Sequence, residues 1–402
     1  MSISNNAKQY TNLIMNHKIY LILKHTYLSL GVLFMTSCND FLDTEPLDQV
    51  TPGQFFTTEA DLASYSINMY NFTTHGGWGL GPVLRGDDNT DNQATTDASY
   101  SRWVLGEKRV PQSGGNWNFD RIRNANYFFE KVIPNWKANK IQGTPKNIEH
   151  YIGEVYFLRA YEYFNKLKSY GDYPIITEVL TDQPDALISV SKRSPRNIVA
   201  RFILADLDSA IVLMSNDPVG KKNRLTKNAA LLFKSRVALF EATWLKYHQG
   251  TARVPLGPGW PGASKSYNKD FSINIDNEIN FFLDQAMTAA QVVADASPLT
   301  QNSGIVNPEG KFNGWNPYFD MFNANNMDSF QEVIFWRTYV SEHNIAHATT
   351  TYILKGGGNS GFTKSLVDGF LMKNGLPTYA ANSGYAGEDS IELVKKNRDS
   401  RL

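Results

Sequence analysis

"SPRNIVARFILADLDSAIVLM", Ser194 to Met214, decides how the rest of the chain is read. Ser194 suits a helix N-cap and Pro195 the first helical position, where the missing N–H is no loss. Behind them Val199, Ile203, Leu207, Ala210 and Met214 recur at the spacing of one face of an α-helix. "TKNAALLFKSRVALFEATWLKYH" opens at Thr226 and keeps Ala229, Phe233, Val237, Phe240 and Trp244 in register. "NEINFFLDQAMTAAQVVADA" repeats the pattern through Ile279, Phe282, Ala286, Ala289 and Val293. Upstream, "NFDRIRNANYFFEKVI" reads as a helix stopped by Pro134, and "NIEHYIGEVYFLRAYEYFNKLKSYG" as one from Asn147 to a closing Gly171. A further helix begins near Thr58, with Glu59 and Asp61 in its first turn, and continues to about Phe72.

The fold class is therefore mainly α. Helices come in pairs, and Ala229, Ala230, Ala286, Ala289 and Ala290 sit where neighbours must approach closely. The arrangement is similar to tetratricopeptide-like helix pairs, although the strict consensus is absent; an irregular helical bundle fits the same period. Beyond Pro298 the texture changes to Gly, Asn and short β-like runs such as "EVIFWRTYV", so residues 298–402 read as a loop-rich second subdomain laid against a scaffold of residues 58–297.

The N-terminal region reads differently. Lys18 and Lys24 precede an apolar run from Tyr27 to Met35, too short to span a bilayer, which takes roughly 20 apolar residues. "MTSC", Met35 to Cys38, resembles a lipobox, and Cys38 is the chain's only cysteine. Residues 1–37 are accordingly a signal peptide, with Met15 a second candidate start, and Cys38 carries acyl chains. Residues 38–57, "DFLDTEPLDQVTPGQFF" among them, form an extended tether.

The chain holds 39 basic and 39 acidic residues; Lys8, Lys18 and Lys24 precede Cys38 and no acid does, which leaves about −3 from Cys38 onward. That balance gives nucleic acid no basic face to bind. One cysteine provides no disulfide framework. Aromatic residues at 13% exceed what a core alone explains, and surplus Trp and Tyr suit a binding surface.

The loop from Thr74 to Trp117 is too long for a passive connection. It holds Trp78, Arg85, Asp87, Asp88, Asn89, Asn92 and Trp103, a mixture that fits sugars, whose C–H faces stack on aromatic rings and whose hydroxyls need charged and amide partners. Trp78 and Trp103 either serve as such platforms or plug the loop onto the helices. Asp87, Asn89 and Asp91 have the opening spacing of a calcium loop, but Asn92 stands where the turn needs Gly and Ala98 where the loop needs Glu. His343 and His347 lie one helical turn apart without a third ligand, which is weak ground for zinc. Gly356–Gly358 lack the strand–loop–helix context of a phosphate site. No metal or other cofactor is expected. No pair of carboxylates is placed to flank a glycosidic bond either, so an enzyme is not expected; a secreted glycoside hydrolase is the alternative, and a helical scaffold without ligand a third reading.

Six segments in order carry a family resemblance. "CNDFLDTEPLDQVTPGQFFTTEADL", "NFDRIRNANYFFEKV" and "EVYFLRAYEYFNKLKSYGDYPII" resemble segments of the SusD/RagB outer-membrane lipoproteins, as do "RLTKNAALLFKSRVALFEAT", "FQEVIFWRTYV" and "LVDGFLMKNGLPTY". The chain ends at "KKNRDSRL", which in that family precedes further repeat helices, so the resemblance implies a C-terminally shortened member, its loop-rich subdomain incomplete. It also implies a surface-exposed, lipid-anchored protein of the outer membrane. Such a protein binds oligosaccharides or other nutrients without catalysis and delivers them to a TonB-dependent (SusC-like) transporter. The family places part of its ligand site on the loop between the first helices, here residues 74–117, and its loop-rich subdomain adds further contacts, for which Tyr339, His343 and Tyr352 are the matching candidates. If Cys38 is the anchor, Cys38→Ala moves the protein from the membrane fraction to soluble or uncleaved forms, and lipid labelling is lost; fractionation of the variant checks both.

Overall fold

The computed structural model describes residues 55–70, 72, 86–96, 117–305, 311, 313–339, 342, 351, 359–399 and 402. The chain divides into two compact units, Met1–Phe55 and Phe56–Leu402, and every element below belongs to the second. The signal peptide, Cys38 and nearly all of the tether lie outside the described residues.

Helices α1 (Glu59–Asn68), α2 (Asp120–Lys137), α3 (Pro145–Tyr170), α4 (Pro184–Val190), α5 (Arg196–Leu213), α6 (Lys227–His248) and α7 (Ile275–Ala296) make the scaffold. Both α1 and α2 pack on α3; α3 packs on α5, α5 on α6 and α6 on α7, so each long helix after α3 leans on its predecessor. Short helices α8 (Pro317–Asn323), α9 (Lys364–Gly369) and α10 (Ile391–Lys395) follow. The two strands β1 (Gln93–Thr95) and β2 (Ser360–Phe362) pair antiparallel, with Gln93 opposite Phe362 and Thr95 opposite Ser360.

Two of the apolar faces expected from the sequence lie in the core, whereas on α6 the buried face is turned to Ala230, Val237, Ala238, Ala242 and Leu245, and Ala229, Phe233, Phe240 and Trp244 are half-buried beside it. Val199, Ile203, Leu207, Ala210 and Met214 are all buried, as are Ile279, Phe282, Ala286, Ala289 and Val293. Thr226 caps α6 by accepting the Ala229 N–H, and Thr58 caps α1 in a reciprocal capping box with Asp61. Gly171, at φ 69°, closes α3. Close approach of α3 and α5 depends on Gly153, where a Cβ would stand 2.6 Å from Met214 Cγ.

Four local expectations need correction. Pro134 does not end α2, which runs on to Lys137. The proline withholds one N–H from the Glu130 carbonyl, and its own carbonyl still accepts the Ala138 N–H at 3.1 Å. Ser194 is not the cap of α5. Its backbone pairs with Tyr173, Pro195 takes the cap position, and the Arg196 N–H donates to the Asp172 carboxylate at 2.9 Å, so a distant residue supplies the acceptor that a capping side chain would. Helix α1 stops at Asn68 rather than near Phe72, because Tyr70 turns inward and its hydroxyl donates to Glu154 at 2.7 Å. "EVIFWRTYV" forms no strand across residues 332–339; the Trp336 N–H donates to the Lys222 carbonyl and the Thr338 N–H to the Asn223 side chain.

Charged pairs sew the helices together from inside. Arg159 of α3 grips Asp206 of α5 through Nε at 2.8 Å and Nη2 at 2.7 Å, and its Nη1 donates to Asn126 of α2. Arg196 of α5 holds the buried Glu241 of α6 in the same forked way, and Arg201 of α5 holds Glu278 of α7.

A fourth cluster centres on Glu154, which is fully buried in α3. It accepts from the Tyr70 hydroxyl, from His150 Nε2 at 3.2 Å and from Arg224 Nε at 2.9 Å, while Arg224 Nη2 bonds its other oxygen. His150 Nδ1 accepts the Ser215 N–H at 3.0 Å, so the hydrogen-bond network assigns the proton to Nε2. Arg224 also donates to Ser66 of α1 at 2.6 Å, and the Tyr70 hydroxyl accepts the Leu225 N–H. Burial pushes the Glu154 carboxyl toward protonation, but the bonds from His150 and Arg224 and the Arg224 charge outweigh it and hold the pKa below the ordinary carboxylate range. Burial, reinforced by the Glu154 charge, raises the Tyr70 hydroxyl well above its usual value.

A carboxylate whose folded pKa is depressed stabilises the protein above its unfolded pKa, and that contribution is lost as pH falls through the folded value. Glu154→Gln should therefore cost about 3–5 kcal/mol at pH 7, the usual penalty for breaking a buried pair. Its stability should also vary less than the wild type's as acid is added below about pH 4. Urea denaturation of both proteins across that range checks the two expectations.

Candidate functional site

The loop between α1 and α2 leaves the scaffold beside Met69 and returns at Asn118. Between these roots lies an open cleft of about 620 Å³, within the usual range for small-molecule sites. Its polar walls are Tyr65 and Asn68 of α1, Asn118, Asp120, Arg121 and Asn124 at the start of α2, and Tyr161 and Glu162 of α3.

Several of these walls are fixed by the packing beneath. The Tyr65 hydroxyl donates to the Asn124 carbonyl at 2.9 Å while its ring stacks on Phe128 at 5.4 Å. Burial raises that hydroxyl to about 12, so it remains a neutral donor and acceptor at any physiological pH. Tyr161 packs edge-on against Phe72 at 5.2 Å. Glu162 is paired with Lys166 at 3.2 Å, and the Lys166 ammonium donates to the Asn118 side chain at 3.3 Å. The cleft thus combines two tyrosine faces with amides, one guanidinium and two carboxylates, exposed Asp120 and paired Glu162, which is chemistry for a polar, hydroxylated ligand.

The loop is fastened to the C-terminal region at two places. At its start, Phe72 meets Phe335 at 5.2 Å, and Phe335 also meets Tyr70 at 6.2 Å. Farther along, β1 pairs with β2, the Thr96 N–H donates to the Asn359 carbonyl and the Thr363 N–H to the Asn92 carbonyl. Asp88 tightens this clamp by accepting from the Gln93 side chain at 2.8 Å and from the Ser360 hydroxyl at 2.9 Å.

Of the residues expected to bind ligand, Asp88 and Asn92 share the clamp turn and neither lines the cleft. Tyr339 is 42% exposed at the end of the segment that rests on Asn223, with the Arg337 guanidinium 5.5 Å from its ring. Trp78, Arg85, Trp103, His343 and Tyr352 lie outside the described residues, as does His347. Sequence reasoning missed Tyr65, Arg121, Asn124 and Tyr161, because they sit in helices whose period spoke only of packing. Among the described residues no three His, Cys, Asp or Glu side chains are grouped to hold a metal. The buried carboxylates there, Glu154, Asp206, Glu241 and Glu278, are each held by an arginine.

Comparison with known proteins points one way. A family model described as starch-binding, associating with the outer membrane, matches residues 40–239. SusD-like protein P38 of Formosa agariphila is 26% identical over 226 residues, covering 53% of this chain and 41% of that protein. SusD-like protein P25 of the same organism is 24% identical over 232 residues, 52% of this chain and 41% of that protein. The match to each of these curated relatives therefore spans well under half of the relative's length. Among solved structures, a SusD-like protein from Bacteroides fragilis superposes with a TM-score of 0.56 at 21% identity, covering 89% of this chain and 62% of that one. A SusD-like carbohydrate-binding protein from the same species gives 0.52 at 15% identity, with 87% and 59% covered. The helical scaffold with its tetratricopeptide-like pairs is the fold these structures share.

The clamp makes a prediction that separates holding from binding. Asp88→Ala removes an ionised acceptor from two donors, worth about 1.5–3 kcal/mol. If the carboxylate only fastens the loop, amide exchange at Thr96 and Thr363 should speed up; if it contacts ligand, affinity should fall with exchange unchanged.

Proposed function

This chain belongs to the SusD-like family, and on that premise we propose that it captures oligosaccharides at the outer membrane and delivers them to a TonB-dependent transporter. The observation that carries the reading is the polar–aromatic cleft between the two roots of the 74–117 loop. A sugar ring offers an apolar C–H face to Tyr65 or Tyr161 and hydroxyls to Asn118, Asn124 and Arg121. Trp78, Arg85 and Trp103 of the loop, with Tyr339, His343 and Tyr352 of the C-terminal region, are the further ligand contacts of this reading. Asp88 and Asn92 serve at the clamp, where they set the position of the loop.

Binding proceeds without hydrolysis. A glycosidase needs two carboxylates across the scissile bond, one free to protonate and one to attack or activate water. Two carboxylates line the cleft, Asp120 and Glu162, and Glu162 is already neutralised by Lys166, which leaves Asp120 without a free second carboxylate across from it. Cys38 supplies the lipid anchor, and the helical scaffold supplies the broad surface a transporter complex needs, on the order of 1,200–2,000 Å² or more in total. Aromatic stacking at an open site realises only part of the roughly 1.5–3 kcal/mol of a fully buried side chain, so affinity for a single oligosaccharide is modest.

A glycan array with the full chain tests the reading, followed by titration of whichever oligosaccharide is retained. Arg121→Ala and Trp103→Ala should each weaken retention about tenfold, or about 1.4 kcal/mol, with helical circular dichroism unchanged. Incubation with mixed glycans should release no new reducing ends. An array on which no glycan is retained would defeat the proposal, and release of reducing ends would return the protein to the hydrolases.

A further inference from the structure

A second cavity, of about 660 Å³, opens where α3 finishes, α5 begins and the 252–268 excursion folds back over α6. None of its lining residues is shared with the cleft between the loop roots. Lys168, Arg193, Arg196, Arg253 and Lys265 line it, against a single acid, Asp172. Arg196 is committed to Glu241, and the Asp172 carboxylate is occupied by the Arg196 N–H at 2.9 Å and by Trp260 Nε1 at 2.8 Å. The other four cations are exposed, and none has a salt-bridged carboxylate. Arg193 is braced over Trp117 at 4.6 Å and Lys168 over Phe164 at 4.8 Å, so both heads are held rather than trailing in solvent.

The chain as a whole holds equal numbers of acids and bases, so five cations against one acid is a local excess of positive charge. It raises the local concentration of anions, and its guanidinium forks match carboxylate or sulfate geometry. The floor between the charges is aromatic. Trp244 is half-buried, with Arg196 over its ring at 4.1 Å and the His248 ring 4.4 Å away, and Tyr267 is 42% exposed at the rim. Rings of that kind suit the C–H face of a sugar, whereas a bare inorganic anion has no use for them.

We propose that this cavity is a second, independent binding site, specific for acidic saccharides, meaning sugars that carry uronate carboxylates or sulfate esters. Lys168, Arg193, Arg253 and Lys265 receive the anionic groups, and Tyr267 at the rim receives the ring.

The test uses the full chain and calorimetric titration with trigalacturonate, a sulfated trisaccharide, their neutral counterparts and sodium sulfate. At least one charged trisaccharide should bind ten times or more tighter than its neutral counterpart, and its affinity should fall as salt rises. The double variant Arg253→Glu/Lys265→Glu changes two exposed side chains, so the fold should persist by circular dichroism, and that affinity should drop at least tenfold. Arg121→Ala, in the other cleft, should leave it unchanged. Equal binding of charged and neutral trisaccharides would overturn the proposal, as would affinity unaffected by the double reversal. Sodium sulfate binding as tightly as the trisaccharides would reduce the cavity to a simple anion site and overturn it as well. Loss of acidic binding in Arg121→Ala would assign that binding to the loop cleft instead, separating failure here from failure of the proposed function.

Discussion

One carboxylate, that of Glu154, holds the loop-bearing side of this molecule in place. It lies in the middle of α3 with no access to water, and an ion in that position is tolerable only if fully compensated. The compensation arrives from separate parts of the chain: Tyr70 just beyond α1, His150 one turn back in α3, and Arg224 in the turn before α6. Because each partner is needed, α1, α3 and the 220–225 turn have one mutual arrangement. That turn then receives the 332–339 segment through Lys222 and Asn223, and Tyr70 and Phe72 receive Phe335. The root of the long loop and the C-terminal region are positioned together.

The ladder of helices follows the same logic on a larger scale. Apolar burial drives α3, α5, α6 and α7 together, but it is non-directional and would tolerate sliding. Forked arginine pairs do not slide. Helix α5 sends Asp206 to α3, Arg196 to α6 and Arg201 to α7, so each neighbour has a single register against it. Buried pairs of this sort add little net stability over well-packed apolar residues. Their contribution here is geometric, and a ligand site assembled from several helices needs that geometry.

Helix ends also connect structure to binding chemistry. Asp172 caps α5 from outside, anchors Trp260 and leaves the surrounding cations without an acid of their own. The loop cleft, by contrast, is close to charge-balanced, with Glu162 answered by Lys166 and amides along the wall. Two cavities on one scaffold thus present distinct electrostatic environments, one close to neutral and one basic.

By itself the sequence determined the long helices of the scaffold and, for α5 and α7, the faces they bury. A period of 3.6 is a local property, written in Val199, Ile203 and Leu207 or in Ile279, Phe282 and Ala286, and it survives any later choice of neighbours. Length and composition also singled out the 74–117 loop as the candidate for ligand contact. The sequence could not reveal that Asp88 fastens the loop to Ser360, because that contact joins distant segments without periodicity. Nor could it tell that Tyr65 and Tyr161 face one cleft, that Ser194 yields its capping role to Asp172, or that "EVIFWRTYV" spends its backbone bonds on a turn instead of a sheet. Those outcomes belong to the tertiary structure for one reason. A polar group leaving water takes the partner that the fold brings within 3 Å or so, and sequence distance has no part in that choice.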